Sequence, residues 1–270
     1  MRRLMIFAAF ALASCEKVIE PNLRNAAPVT VVEASLELGK SCNVKLTRTR
    51  GVGETNASMP VPVSGATVTL SSDHGENDTL PEITHEGHVF DGLYSSVLGT
   101  IEGQAGREYT LTITEMSGRK YVARATMPEP VALDSIRLDN LFSTPHERFF
   151  QVIPYFQDPA GTDNYYLFEV YVNGARNERF NVRSDRFSDG QYNKRGMFVT
   201  ATGRVDSVRL EMFGLDKGAH GYYSTLGDAN GSVTPANPIS NFSGGCLGCF
   251  RVCTRQTKMM EISHVQPATY

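Results

Sequence analysis

The chain has 270 residues, with 29 acidic side chains against 26 Lys and Arg and a net charge of −3. That balance lacks the basic excess of a nucleic-acid-binding protein. The 41% of apolar residues suffices for one large core or two modest ones, and the absence of tryptophan argues against a glycan surface built on large aromatic platforms.

The first apolar run, Leu4 to Leu12, follows Arg2 and Arg3 and is too short for a membrane-spanning helix of about 20 residues. It reads as a secretory signal over residues 1–14. Leu12-Ala13-Ser14-Cys15 has the lipobox pattern, which makes Cys15 the lipidated first residue of the mature chain and residues 15–27 a polar tether. Buried acyl chains contribute about 0.8 kcal/mol per CH2, so several chains on one cysteine anchor firmly. No later stretch is apolar for long enough to cross a bilayer as a helix, which leaves the body attached at its N-terminus alone.

From Val29 onward the pattern is that of strands. Val29–Leu38 stops at Gly39, Val44 and Leu46 alternate with polar neighbours, and Pro60–Gly65 leads into Ala66–Leu70. Gly87–Tyr94 is a further extended piece. Tyr109, Leu111 and Ile113 alternate with threonines, and beyond Ser117-Gly118 the apolar set continues as Tyr121, Ala123 and Ala125. Period two around a two-residue turn predicts a hairpin with one buried face. About seven short strands spaced roughly 8 to 12 residues apart predict an antiparallel sandwich over residues 28–128, with no helical pattern.

Met127-Pro128-Glu129-Pro130 breaks both ladders and helices, and a second β-rich domain with little helix is expected over 129–270. Its strongest strand, Tyr165–Val172, ends in Asn173-Gly174, the favoured dipeptide of a tight hairpin, with Phe180–Arg183 as partner. Met197–Val199 and the alternating Val208, Leu210 and Met212 follow. Gly221–Leu226 is the one helix candidate, held short by its glycines. Cys249–Val252 and Lys258–Ile262 read as closing strands.

Cys246, Cys249 and Cys253 have ligand-like spacing, and Cys42 offers a fourth thiol, but in an exported chain disulfides are the commoner use of cysteine. An extended strand holds Cys246 and Cys249 about 10 Å apart, beyond the roughly 7 Å that a disulfide tolerates. A local bridge therefore needs a turn at Gly248, and a bridge to Cys42 needs the two halves to touch. Disulfides and buried thiols both stay open at this point.

His85-Glu86-Gly87-His88 has the wrong spacing for a zinc-protease helix and reads as solvated, as does His220 unless it lines a pocket. Gly-x-Ser-x-Gly, phosphate-cradling and dinucleotide signatures are missing, so no catalytic, cofactor or metal residue is assigned. Arg176, Arg179, Arg183 and Arg186 are interrupted by Glu178 and Asp185 and read as a solvated hairpin face. The aromatic density from Phe142 to Tyr171 reads as core.

The lipobox, Pro62–Leu70, Gly106–Ile113, Tyr121-Val122-Ala123 ahead of Met127-Pro128, Asn164–Val170, Gly221-Tyr222-Tyr223 and Asn237–Phe250 together resemble a family of Bacteroidota lipoproteins catalogued as domain of unknown function 4249. The resemblance spans nearly the whole mature chain. It implies a mainly β fold, with an immunoglobulin-like or transthyretin-like sandwich followed by a second β-rich domain. It also implies an outer-membrane lipoprotein associated with TonB-dependent transporters, and no known activity. In that family the positions of Cys246 and Cys249 are usually apolar or aromatic, which favours buried side chains. The same lineage makes Asp78-Thr79-Leu80, Asp134-Ser135-Ile136 and Asp206-Ser207-Val208 candidate O-glycosylation sequences, at Thr79, Ser135 and Ser207. The expected role is a non-enzymatic accessory of an outer-membrane β-barrel in ligand capture, with an envelope adhesion or structural module, or less readily a hydrolase, as alternatives.

Overall fold

A computed structural model describes residues 27–50, 60–83, 92–96, 99–144, 146–179, 181–229 and 237–262. The signal, the lipobox, the tether up to residue 26 and the His85/His88 pair lie outside the described residues.

The first half is a two-sheet sandwich. β1 (Thr30–Glu37), β2 (Asn43–Arg48), β3 (Val61–Pro62), β6 (Glu82–Ile83) and β7 (Leu93–Ser95) belong to one sheet, and β4 (Thr67–Ser72), β5 (Asn77–Leu80), β8 (Glu108–Thr114) and β9 (Lys120–Thr126) to the other. The alternation read from sequence is the alternation buried: Tyr109, Leu111 and Ile113 are fully enclosed, and Tyr121, Ala123 and Ala125 face them across the hairpin. Its loop differs from the expected two-residue turn. The Gly118 N–H donates to the Glu115 carbonyl and the Glu115 N–H to the Arg119 carbonyl, so three residues form the loop and Gly118 takes the left-handed φ of 82° that closes it.

In the second half, β10 (Ser135–Ser143), β11 (Glu147–Gln157), β15 (Tyr192–Asn193) and β16 (Met197–Thr202) form a small antiparallel sheet. It packs against β12 (Tyr165–Val172) and β17 (Ser207–Leu215), whose flanking strands are β13 (Ala175–Arg176) and β14 (Asn181–Ser184). Asn173 (φ 50°) and Gly174 (φ 83°) make the predicted tight turn, and β14 pairs with β12 as expected. The helix α1 spans Lys217–Ala229, longer than the segment expected from its glycines. Asp216 caps it by accepting from the N–H groups of Gly218 (2.8 Å) and Ala219 (3.3 Å), and packing against the sheet through Ala219, Tyr222 and Tyr223 overrides the weak helix propensity of Gly218, Gly221 and Gly227. No helix among the described residues is long and apolar enough to cross a membrane.

The largest departure from the sequence reading concerns the C-terminus. The two expected closing strands are one, β19 (Leu247–Glu261), and it serves both halves. Its first part pairs in parallel with β1, from Val31↔Leu247 to Glu37↔Cys253, and from Cys253 onward it pairs antiparallel with β17. Just before it, β18 (Phe242–Ser243) joins β9. Phe242, Cys246, Phe250 and Val252 therefore sit in the core of the first sandwich, although the sequence division assigned all of 129–270 to a second domain. The outcome is a ten-stranded sheet running through both halves, and among the described residues its parallel strand pair, β1 with β19, is joined by only one other parallel contact, the isolated Leu38–Gly103 bridge. The parallel join requires Gly248, because a Cβ there would lie 1.9 Å from the Val32 carbonyl oxygen.

Candidate functional site

Side chains alternate across β19, and the two faces meet different surroundings. Phe250 and Val252 point into the first core, while Cys249 and Cys253 point to the face covered by α1, with Phe213, Leu215 and Ala219. Arg251 shares that second face. Beneath the C-terminal half of α1 the sheet leaves a cavity of about 380 Å³, bounded by Tyr222, Tyr223 and Leu226 of the helix and by Glu33 to Ser35, Glu169, Arg176, Cys249 and Arg251 of the sheet. Arg251 is held over the Phe213 ring, 5.0 Å from its centroid. Its Nη1 lies 3.4 Å from Tyr223 Oη, and its Nε is buried with no hydrogen-bond partner. Glu169, by contrast, is engaged by Arg176 (2.7 Å) and by Tyr171 Oη (2.9 Å).

All four downstream cysteines are buried free thiols in this structure. Cys42 and Cys246 belong to the first core, whereas Cys249 and Cys253 lie under α1, so the sheet itself separates Cys246 from Cys249. Burial pushes the thiols of Cys42, Cys246 and Cys253 up to about 12, 11 and 11, and Cys249 further still. Burial disfavours the thiolate at each of them, and all four side chains pack in the apolar cores on either side of the sheet.

A second polar site lies on the loops beyond β11 and β14. Carboxylate oxygens of Asp158, Asp185 and Asp189 lie within 4.8 Å of one another, beside a cavity of about 480 Å³. The sequence reading missed this group, whose local signals are Asp158-Pro159-Ala160-Gly161 and Asp185-x-x-x-Asp189-Gly190. Each carboxylate already closes a loop. Asp158 accepts from Tyr166 Oη (2.6 Å) and the Gly190 N–H (3.1 Å), Asp185 from the Asn164 N–H (2.8 Å), and Asp189 from the Gly161 N–H (2.8 Å). Burial raises the pKa of Asp158, and the neighbouring Asp185 and Asp189 add to the rise against those two hydrogen bonds. In this structure these residues act as a loop clasp. A third and wider groove, about 670 Å³, separates Arg124, Pro128 and Glu129 from Asn164, Asp216 and Lys217.

The remaining sequence candidates are dispersed. His220 stacks on Tyr165 with centroids 4.7 Å apart, burial lowers its pKa, and it lines none of these cavities. Thr79 and Ser135 are exposed and Ser207 is half-buried. Arg183 departs from the solvated face expected of the basic stretch. Its Nη atoms donate to the carbonyls of Arg195 (2.8 Å) and Gly196 (2.9 Å), its guanidinium lies 5.2 Å from the centroid of Phe168, and burial, with Arg195 nearby, lowers its pKa to about 10. The aromatic stretch from Phe142 is likewise only partly core. Phe142 and Phe149 stack at 4.2 Å on the outer face of the small sheet, and Phe198 stands opposite Gln151 on the same face. Phe142 and Phe198 are 58% and 60% exposed, and Leu141 is the extra residue of a bulge beside them.

The chain belongs to the family described as Domain of unknown function (DUF4249), whose profile matches residues 16–259. No curated protein matches it. Among solved structures it is similar to a chain of a cytokine receptor complex, at 8% identity and a TM-score of 0.28 over 85% of this chain and 95% of that one. It is also similar to bovine butyrophilin, at 10% identity and a TM-score of 0.22 over 69% and 92%. Pullulanase from Anoxybacillus sp. LM18-11, complexed with maltotriose, aligns at 14% identity and a TM-score of 0.22 over 68% of this chain and 24% of its own.

Proposed function

We propose that this protein is a lipid-anchored accessory of the outer membrane that assists a TonB-dependent β-barrel transporter in capturing or handling a ligand, and that it performs no catalysis. The anchor is Cys15 of the lipobox, and the body it tethers faces the periplasm or the cell surface. The observation that carries the partner is the outward aromatic face of the small sheet, where Phe142 and Phe198 stand more than half exposed beside Phe149. Large contiguous apolar groups on the surface of an exported protein mark contact surfaces rather than solvent-facing decoration. The cavity beneath α1, bounded by aromatic, aliphatic and charged side chains, supports ligand handling, and the raised thiol pKa values support binding over nucleophilic chemistry.

Detergent extraction and pull-down through a C-terminal tag, from the native host, tests the reading. It predicts recovery of an outer-membrane β-barrel, and reduced recovery with a Phe142→Ser/Phe198→Ser double variant. Recovery of no β-barrel from the unaltered protein sinks it. The envelope-module alternative predicts instead that a deletion strain loses attachment or envelope integrity while nutrient uptake continues.

A further inference from the structure

The geometry points to the cavity beneath α1 as a binding site for a small organic monocarboxylate, held by the Arg251 guanidinium and enclosed by Tyr222 and Tyr223. Three observations carry this.

The first is incomplete satisfaction. A guanidinium has five N–H donors, and a buried one ordinarily spends them on carbonyls or carboxylates. Among the described residues Arg251 has a single hydrogen bond, the long one to Tyr223 Oη at 3.4 Å, and a buried Nε with no partner. Arg183, by contrast, donates to two carbonyls at 2.8 and 2.9 Å; the Nε of Arg50 is buried and unpartnered as well, but Arg50 lines none of the three cavities described above. The second is position, since Arg251 borders an open space of about 380 Å³, within the range of small-molecule sites and well above that of a packing defect.

The third is the balance of charge and surface. Of the four charged groups lining the cavity, Glu169 is engaged by Arg176 at 2.7 Å, which leaves Arg251 inside and Glu33 exposed at the mouth. Among the described lining residues that leaves one cation to compensate one negative charge, and the exposed Glu33 opposes a dianion such as phosphate. Leu226, Ala34, Cys249 and the two tyrosine rings offer an apolar wall that an inorganic ion leaves unused, so the occupant has an organic body. A planar carboxylate suits the guanidinium fork.

This inference rests on the ligand-handling half of the proposed function and is independent of the transporter. The test is isothermal titration of the purified full chain in detergent with benzoate, phenylacetate and 4-hydroxyphenylacetate, alongside benzyl alcohol and inorganic phosphate. Saturable binding is expected for at least one carboxylate and absent for benzyl alcohol. Arg251→Gln should weaken that binding by at least about tenfold, and Arg251→Lys, which keeps the charge without the fork, by less. Should Arg251→Gln fail to fold, Glu33→Gln provides the second arm, because removing the exposed anion at the mouth should tighten binding by about two- to threefold. No binding of any of the three carboxylates, unchanged affinity in both variants, or equal binding of phosphate overturns the assignment. Carboxylate binding without a co-purifying β-barrel overturns the transporter reading alone, and a co-purifying β-barrel without carboxylate binding overturns this inference alone.

Discussion

The two faces of β19 are both buried, yet they are buried differently. Toward the first sandwich, Phe250 and Val252 are fully enclosed among aliphatic and aromatic neighbours. A buried carboxylate of that sandwich, Glu115, is met on every side: by Thr30 Oγ1 at 2.5 Å, Tyr121 Oη at 2.9 Å, Arg48 at 2.7 Å and Ser117 Oγ at 3.3 Å. Toward α1 the same strand presents Arg251 with the Phe213 ring contact and, among the described residues, one long hydrogen bond, beside open space. The burial of Glu115 is compensated and contributes stability, whereas Arg251 keeps an unpaired Nε beside open space, where a ligand can complete its hydrogen bonding.

The contrast can be broken by mutation, and the largest effect is expected on the closed face. Phe250→Ala should cost about 3–5 kcal/mol in denaturant unfolding, since the site is filled from both sheets and collapses poorly. Glu115→Ala should cost about 3 kcal/mol by the same measurement, because it strands Arg48, Tyr121 and Thr30. The charge of Glu115 also has a pH signature. Burial alone would raise its pKa, but the hydrogen bonds from Thr30 and Tyr121, with Arg48, outweigh burial and hold it below the ordinary value. Its contribution is therefore present above the unfolded glutamate pKa of about 4.3 and lost as pH falls through the lower folded value. Glu115→Gln should flatten that part of the acid limb of a stability–pH curve.

The roof of the open face should respond less. Asp216→Ala removes the helix cap and should cost about 1 kcal/mol, whereas Asp216→Asn preserves the cap. Burial raises the Asp216 pKa to about 6 against its backbone hydrogen bonds, so the folded state holds that proton more tightly than the unfolded chain does. Its contribution to stability then falls as pH rises from the ordinary aspartate value of about 3.9 toward 6 and stays flat above, a slope that Asp216→Asn should erase. The smallest change is expected at the centre of the contrast. Arg251→Met removes a charge with one long hydrogen bond and the Phe213 contact, and should shift unfolding by no more than about 1 kcal/mol in either direction.

Much of this architecture is legible in the sequence. The Tyr109–Ala125 alternation names its own buried face, and Asn173-Gly174 names its turn, because both signals are local. β19 shows the limit of that reading. Its partners Val31–Glu37 lie more than 200 residues upstream, and period two tells which side chains share a face but not which strand lies alongside. Pro128 and Pro130 mark a real break in the chain's extended runs, but they carry no information about a strand returning from the far end. The helix was underestimated because its glycines lower intrinsic propensity while the packing of Ala219, Tyr222 and Tyr223 decides the outcome. Arg251 belongs to no motif. A signal was present all the same: Cys249-x-Arg251-x-Cys253 puts one cation between two small apolar side chains on a single strand face, which is costly unless something completes it. The Asp158, Asp185 and Asp189 clasp was hidden for the same reason as β19, since its members come from separate loops.

The most direct measurement is a crystal of the full chain soaked in 4-bromobenzoate and read by the anomalous signal of bromine. The account predicts a bromine peak beneath α1, between Tyr222 and Leu226, with the carboxylate directed at Arg251. A cavity left empty at concentrations that saturate benzoate binding in solution, or bromine located only outside it, would contradict the account.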